Sequence, residues 1–276
     1  MKSKKTSAHP FVQFYLGHDN YADHFARSGI AALIYDKRGT GGSTGNWRSA
    51  DAGPLTADAL AGVDFLKQHP AIDPGSIGVW GISQGGWLVA LAAMQDPDIA
   101  FVIGVSAAGV SPGRQEAFRI RNVLVDQGLR GVGLELTLLW HRLLYPLGHL
   151  ATKPYIPLPK SIKDMAGGLA VSPFLNPIPA WRQVHQPVLL IYGERDYLVD
   201  PVESPVLISE ALIEGGHAPP TVLTFEAADH SIRVTETGRP SEVLKELRWA
   251  LGYFEAKTNW IWSVLGGAMG TSAGES

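Results

Sequence analysis

The stretch Ser76–Ala93, SIGVWGISQGGWLVALAA, constrains this chain more than any other. It reads as a short buried strand over Ile77–Trp80, a tight turn, and a helix of small residues from Gln84 onward. The turn Gly81-Ile82-Ser83-Gln84-Gly85 fits the pattern G-x-S-x-G. A serine whose hydroxyl must stand clear of the backbone sits on a strained strand-to-helix turn of this kind. Its neighbours on either side then come so close that a Cβ at Gly81 or Gly85 is expected to collide. The helix begins directly behind Ser83, so its free N–H groups face any negative charge that grows near the hydroxyl.

Five residues alone are weak evidence, and the rest of the chain supplies the context. Apolar runs expected as buried strands recur at Phe11–Leu16, Ile30–Tyr35, Phe101–Ser106, Pro187–Tyr192 and Thr221–Phe225. Helices are expected at Tyr21–Arg27, Thr56–Gln68 with Thr56 as N-cap, Glu203–Glu214 and about Ser241–Phe254. Strands alternating with helices imply a parallel sheet covered on both faces, an α/β fold. The alternation breaks between Ala107 and Gln186, where Glu116–Gln127 and the nearly all-apolar Leu134–Leu150 read as helices before a proline-rich passage. The expected organisation is a core of residues 1–106 and 187–258, a helical lid over 107–186, and a tail over 259–276.

In such sheets ligands bind beyond the carboxyl ends of the strands. Three chemistry-bearing residues fall there: Ser83, Asp196 in Gly193-Glu194-Arg195-Asp196, and His230 in Ala228-Asp229-His230. A serine at its own pKa is a poor nucleophile. His230 would take its proton and return it to the leaving group, and Asp196 would hold the imidazole tautomer. Asp200, Glu194 and Glu203 compete for the acid's place, and Asp229 reads as a loop cap. His185 and His217 precede their strands, on the opposite rim. Asp36 and Arg38 read as pins of the loop Asp36–Ser43, whose glycines lack the spacing of a phosphate cradle.

Composition excludes several classes. A net charge of -3 gives no electrostatic reason to expect nucleic acid as a partner. Zero cysteines rule out disulfides, a thiol nucleophile and thiolate metal sites, and no metal or organic cofactor is expected. The basic start (Lys2, Lys4, Lys5) precedes an apolar run too short for a signal-peptide core, and no stretch is long enough to span a bilayer. The expectation is a cytoplasmic protein acting on a small-molecule ester or peptide; its oligomeric state is open.

Four segments together carry a family resemblance: Tyr35-Asp36-Lys37-Arg38-Gly39-Thr40-Gly41, Gly78-Val79-Trp80-Gly81-Ile82-Ser83-Gln84-Gly85-Gly86-Trp87, Tyr192-Gly193-Glu194-Arg195-Asp196 and Ala228-Asp229-His230. The chain resembles the α/β-hydrolase superfamily, in particular serine hydrolases related to prolyl-oligopeptidase-type peptidases and acyl esterases. The resemblance implies hydrolysis of carboxylic esters, or short peptides, through an acyl-enzyme on Ser83. It implies that the Gln84 N–H serves as one oxyanion donor. The family has further strands and a His-Gly loop ahead of the strand matching Ile30–Tyr35. Here Phe11–Leu16 is expected to stand in for the missing central strand, with Gly17 giving the second N–H; the alternative expectation is a version of the family shortened at the N-terminus. The alternative reading is a non-catalytic binding protein of the same fold with an incomplete oxyanion hole.

Overall fold

The computed structural model describes residues 21–153, 155–159, 171–239, 241–242 and 248–266. Phe11–Leu16 and Gly17 lie outside them. Among the described residues four strands, β1 Val79–Ile82, β2 Val102–Val105, β3 Val188–Gly193 and β4 Thr221–Phe225, pair in parallel in the order β1-β2-β3-β4. Trp80 lies beside Ile103, Ile103 beside Leu189, and Leu189 beside Thr221. The sheet is thus in register with every carboxyl end on one rim.

β2 and β3 are buried along their whole length, which is why they read as unbroken apolar runs rather than alternating ones. Successive side chains point to opposite faces. Val102, Val188, Leu190 and Tyr192 enter a core shared with α2 (Ala52–Lys67) and α3 (Gln84–Gln95). Ile103, Val105, Leu189 and Ile191 enter a second core with α1 (Tyr21–Arg27) and α8 (Tyr253–Leu265). Between β2 and β3 lie α4 (Pro112–Asp126), α5 (Gly131–Ala151) and the short α6 (Ile178–Trp181); α7 (Glu203–Glu214) follows β3. This is the α/β-hydrolase arrangement, a parallel sheet between helical layers.

Several expectations shift. Ile30–Tyr35 forms no strand: Ile34 is 69 % exposed and Tyr35 49 %. Among the described residues β1 pairs only with β2, so this apolar run has no neighbouring ladder to complete its hydrogen bonds. The β1 strand begins two residues later than the expected Ile77. The helix expected from Thr56 starts at Ala52 instead. Its cap is Asp51, which accepts from the N–H of Ala52 and also from that of Ser172 at 3.0 Å. Thr56 is fully buried within the helix. Of the helix expected at about Ser241–Phe254, residues 243–247 lie outside the described ones and 248–252 are not helical; the last described helix is Tyr253–Leu265, set off by Gly252 in the left-handed region, φ 79°. The expected tail from residue 259 is therefore helical through Leu265, with Ile261 buried.

Candidate active site

Ser83 closes β1 and opens α3 with φ 56° and ψ -115°, a conformation that costs a residue with a Cβ. The turn is held from outside, by the Ser83 N–H donating to Val105 O at 2.9 Å. A Cβ on Gly81 would lie 2.5 Å from Gly85 O, so a glycine there is required. Gly85 differs from expectation: a Cβ at that position meets nothing within 4 Å. Its backbone is what Gly81 must clear. The next residue, Gly86, is the tight one, because its Cβ would sit 2.4 Å from that of Ala107. Small residues at both places bring α3 against the end of β2. The Gln84 N–H lies in the first turn, where no intrahelical acceptor exists.

Asp196 and His230 come together. His230 Nδ1 lies 2.8 Å from Asp196 Oδ2, and the side chains are 8 % and 0 % exposed. Facing a carboxylate, Nδ1 carries the proton and donates it, which leaves Nε2 as the acceptor. Asp196 Oδ1 accepts from the N–H groups of Leu198 (2.8 Å) and Val199 (3.0 Å), so the carboxylate is fixed through both oxygens. The two loops approach closely because Gly193 has no Cβ; one would lie 2.2 Å from Asp229 O. Asp229 is the loop cap the sequence suggests. Its Oδ1 accepts from Ser231 N at 2.8 Å and Arg233 N at 3.0 Å, and its burial raises its pKa. Among the described residues the Ser83 hydroxyl makes no hydrogen bond with the ring. Such contacts are often open in unliganded sites and tighten with substrate.

The competing acids have other duties. Asp200 Oδ1 accepts from Val202 N and Glu203 N at 2.9 Å, at the start of α7. Glu194 accepts from Ala227 N at 3.1 Å. His185 and His217 lie against one another, 4.2 Å between ring centres, with His217 Nε2 3.1 Å from Arg182 O. Asp36 accepts from Gly42 N at 2.8 Å, and Arg38 forms a two-pronged pair with Asp58. Both serve to pin their loop.

Two further residues support the site. Ser106, fully buried at the end of β2, donates to His230 O at 2.9 Å and so fixes the backbone that carries the imidazole. The rim rule that found Asp196 applies equally to it. Lys37 Nζ donates to Gln84 Oε1, beside the elbow, and sits 4.6 Å from the Trp47 ring centre. Burial pulls its pKa down to about 8. A cavity of about 520 Å³ lies between α4 and α5, where Phe118, Leu138 and Tyr145 are joined by the charged Arg114, Arg142 and Glu203. Another of about 360 Å³ reaches Asp196 past Tyr197 and Asn122. Among the described residues no cluster of three His, Asp or Glu could hold a metal, and no helix is long and apolar enough to cross a membrane.

The model of the X-Pro dipeptidyl-peptidase (S15) family matches residues 1–166, a span that holds Ser83 and ends before Asp196 and His230. A thiohydrolase of Arthrinium phaeospermum is 37% identical over 108 residues, 38% of this chain and 34% of that protein. A polyketide transferase of Penicillium crustosum is 39% identical over 85 residues, 30% of this chain and 28% of its own. The matches thus span about a third of these curated relatives. Among solved structures, the monoacylglycerol lipase of Paleococcus ferrophilus superposes with a TM-score of 0.59 at 18% identity, over 93% of this chain and 91% of that one. That likeness concerns the fold.

Proposed function

Since the chain belongs to the X-Pro dipeptidyl-peptidase (S15) family of the α/β-hydrolase superfamily, we propose that it is a serine hydrolase cleaving carboxylic esters, or short peptides, through an acyl-enzyme on Ser83. The observation that carries this reading is the fixed, buried Asp196–His230 pair on the same rim as a strained serine. In the first half-reaction Ser83 Oγ bonds to the carbonyl carbon while its proton passes to His230 Nε2. The carbonyl oxygen becomes the oxyanion, facing the Gln84 N–H and the positive end of α3. The carbon–leaving-group bond then breaks, and the departing oxygen or nitrogen takes the proton from the imidazolium. Water repeats the sequence on the acyl-enzyme and frees the acid and the serine.

Gly17, the proposed second oxyanion donor, lies outside the described residues. In this reading α4 and α5 form the lid. The apolar side chains of α5 favour medium-length or aromatic acyl chains. One of the relatives is named a thiohydrolase, and thioesters therefore join esters and peptide amides as candidate substrates.

The test is covalent capture by a fluorophosphonate probe, followed by turnover on a panel of esters, thioesters and amides. Labelling at Ser83 that Ser83→Ala abolishes is the expected result. A folded chain that stays unlabelled and turns nothing over would assign the fold to ligand binding without catalysis.

A further inference from the structure

The helix α5 is apolar on two opposite sides. At 100° per residue, Leu134 and Leu138 lie on the side packed inward, 5 % and 3 % exposed, with His149 (8 %) further along. On the other side Leu136, Leu139, Trp140, Leu143, Leu144 and Leu147 are each between 52 and 62 % exposed. They occupy an arc of roughly 140°. An amphipathic surface helix turns its polar side to water; here the outward side is the greasier one.

We infer that this outer side of α5 is the contact surface for a second copy of the chain, with the two helices antiparallel across a two-fold axis. Three observations carry the choice of occupant. The first is the order of the residues. An axis passing between His141 and Arg142 sets Leu136 against Leu147 of the partner copy, Leu139 against Leu144, and Trp140 against Leu143. These six residues then meet one another, which is the self-complementarity an isologous interface requires. The second is area. With Val132 (76 % exposed) and Leu150 (44 %), eight side chains each show on the order of 100 Å², roughly 800 Å² together. That exceeds the largest patch typical of a monomer, about 300–600 Å². A partner copy that covers most of it approaches the share, about 800 Å², that one side brings to a stable interface. The third is charge. A helix that lies on an anionic bilayer flanks its apolar stripe with lysine and arginine. α5 carries one acid, Glu135, and one base, Arg142, beside the stripe, and Glu135 is already paired with Arg121 at 2.7 Å.

The chain has no cysteine, so an engineered cross-link is unambiguous. In Trp140→Cys/Leu143→Cys, residue 140 of one copy faces residue 143 of the other. Mild oxidation should give a disulfide-linked dimer in high yield, while the control Leu251→Cys, 99 % exposed and far along the chain, should not. Sedimentation at micromolar concentration should give twice the 29.7 kDa chain mass for the unaltered protein. Leu139→Lys/Leu143→Lys should halve it, with the far-ultraviolet dichroism retained. A folded protein that sediments as a monomer at tens of micromolar overturns the proposal, as does a lysine variant that stays dimeric. Monomer combined with flotation on phosphatidylcholine vesicles would give the surface to lipid instead.

Discussion

Asp196 holds His230 through one carboxylate oxygen, at 2.8 Å from Nδ1, and is itself held through the other by the N–H groups of Leu198 and Val199. An acceptor fixed at both ends sets the tautomer of the imidazole. Replacement by asparagine keeps the shape and offers an N–H where the lone pair was, favouring the tautomer whose Nε2 carries the proton. In the proposed reaction that nitrogen must accept. Asp196→Asn should lower kcat on an activated ester about 10³–10⁴-fold, the scale known for this change in serine proteases. KM and the unfolding midpoint should move little. A variant within tenfold of the parent would remove Asp196 from the mechanism.

The elbow yields a contrast between two glycines of one motif. A methyl at Gly81 would press on the Gly85 carbonyl at 2.5 Å, backbone against which nothing can swing aside. At Gly85 the same methyl meets open space. Gly81→Ala should therefore destabilise the fold by about 1–3 kcal/mol in urea unfolding. Gly85→Ala, already within a helix, should be neutral or slightly stabilising there, since alanine is the better helix former by up to about 1 kcal/mol. Equal losses at both positions would contradict the geometry.

The Asp196–His230 pairing was legible because a parallel sheet sends every strand's carboxyl end to one rim, so loops far apart in sequence can be assigned a common side. β4, α1 and α7 were legible to the residue, since turn residues bracket each run. What escaped depends on partners distant in the chain. Ile30–Tyr35 has the composition of a buried strand, yet among the described residues it has no ladder neighbour, and composition does not report neighbours. Asp51 serves Ala52 and Ser172 at once, a double use visible only when both are in place. The tightness at Gly86 comes from Ala107, and nothing in the local motif names that contact.

Lys257 is fully buried, and among the described residues its Nζ has no hydrogen-bond partner. It lies over aromatic rings instead, 3.6 Å from the Tyr253 centre, 4.1 Å from Tyr21 and 4.4 Å from Phe254. Burial drives its pKa well below the usual lysine value of 10.5, with Glu255 opposing. The sign follows from linkage. Between the lowered folded value and 10.5 the unfolded chain binds the proton and the folded chain does not, so this residue makes stability rise with pH across that window. Lys257→Met should raise Tm at pH 7 and flatten the alkaline rise. A lower Tm at pH 7 would show instead that the rings stabilise the charged ammonium.

Lys37 links pH to the proposed reaction itself. Its ammonium donates to the Gln84 side chain, and the Gln84 N–H is the proposed oxyanion donor. The groups around it are uncharged or engaged: Trp47 lies beneath it, Asp36 is taken by Gly42, and Arg38 by Asp58. With a pKa of about 8, the positive charge is present at pH 7 and lost as pH rises through 8. An oxyanion forming nearby loses that support, so kcat should fall several-fold between pH 7 and 9. Lys37→Met should hold the lower rate at pH 7 and show no such fall. Lys37→Arg, charged throughout this range, should carry the pH 7 rate through to pH 9. An alkaline decline that survives in both variants would place its origin elsewhere.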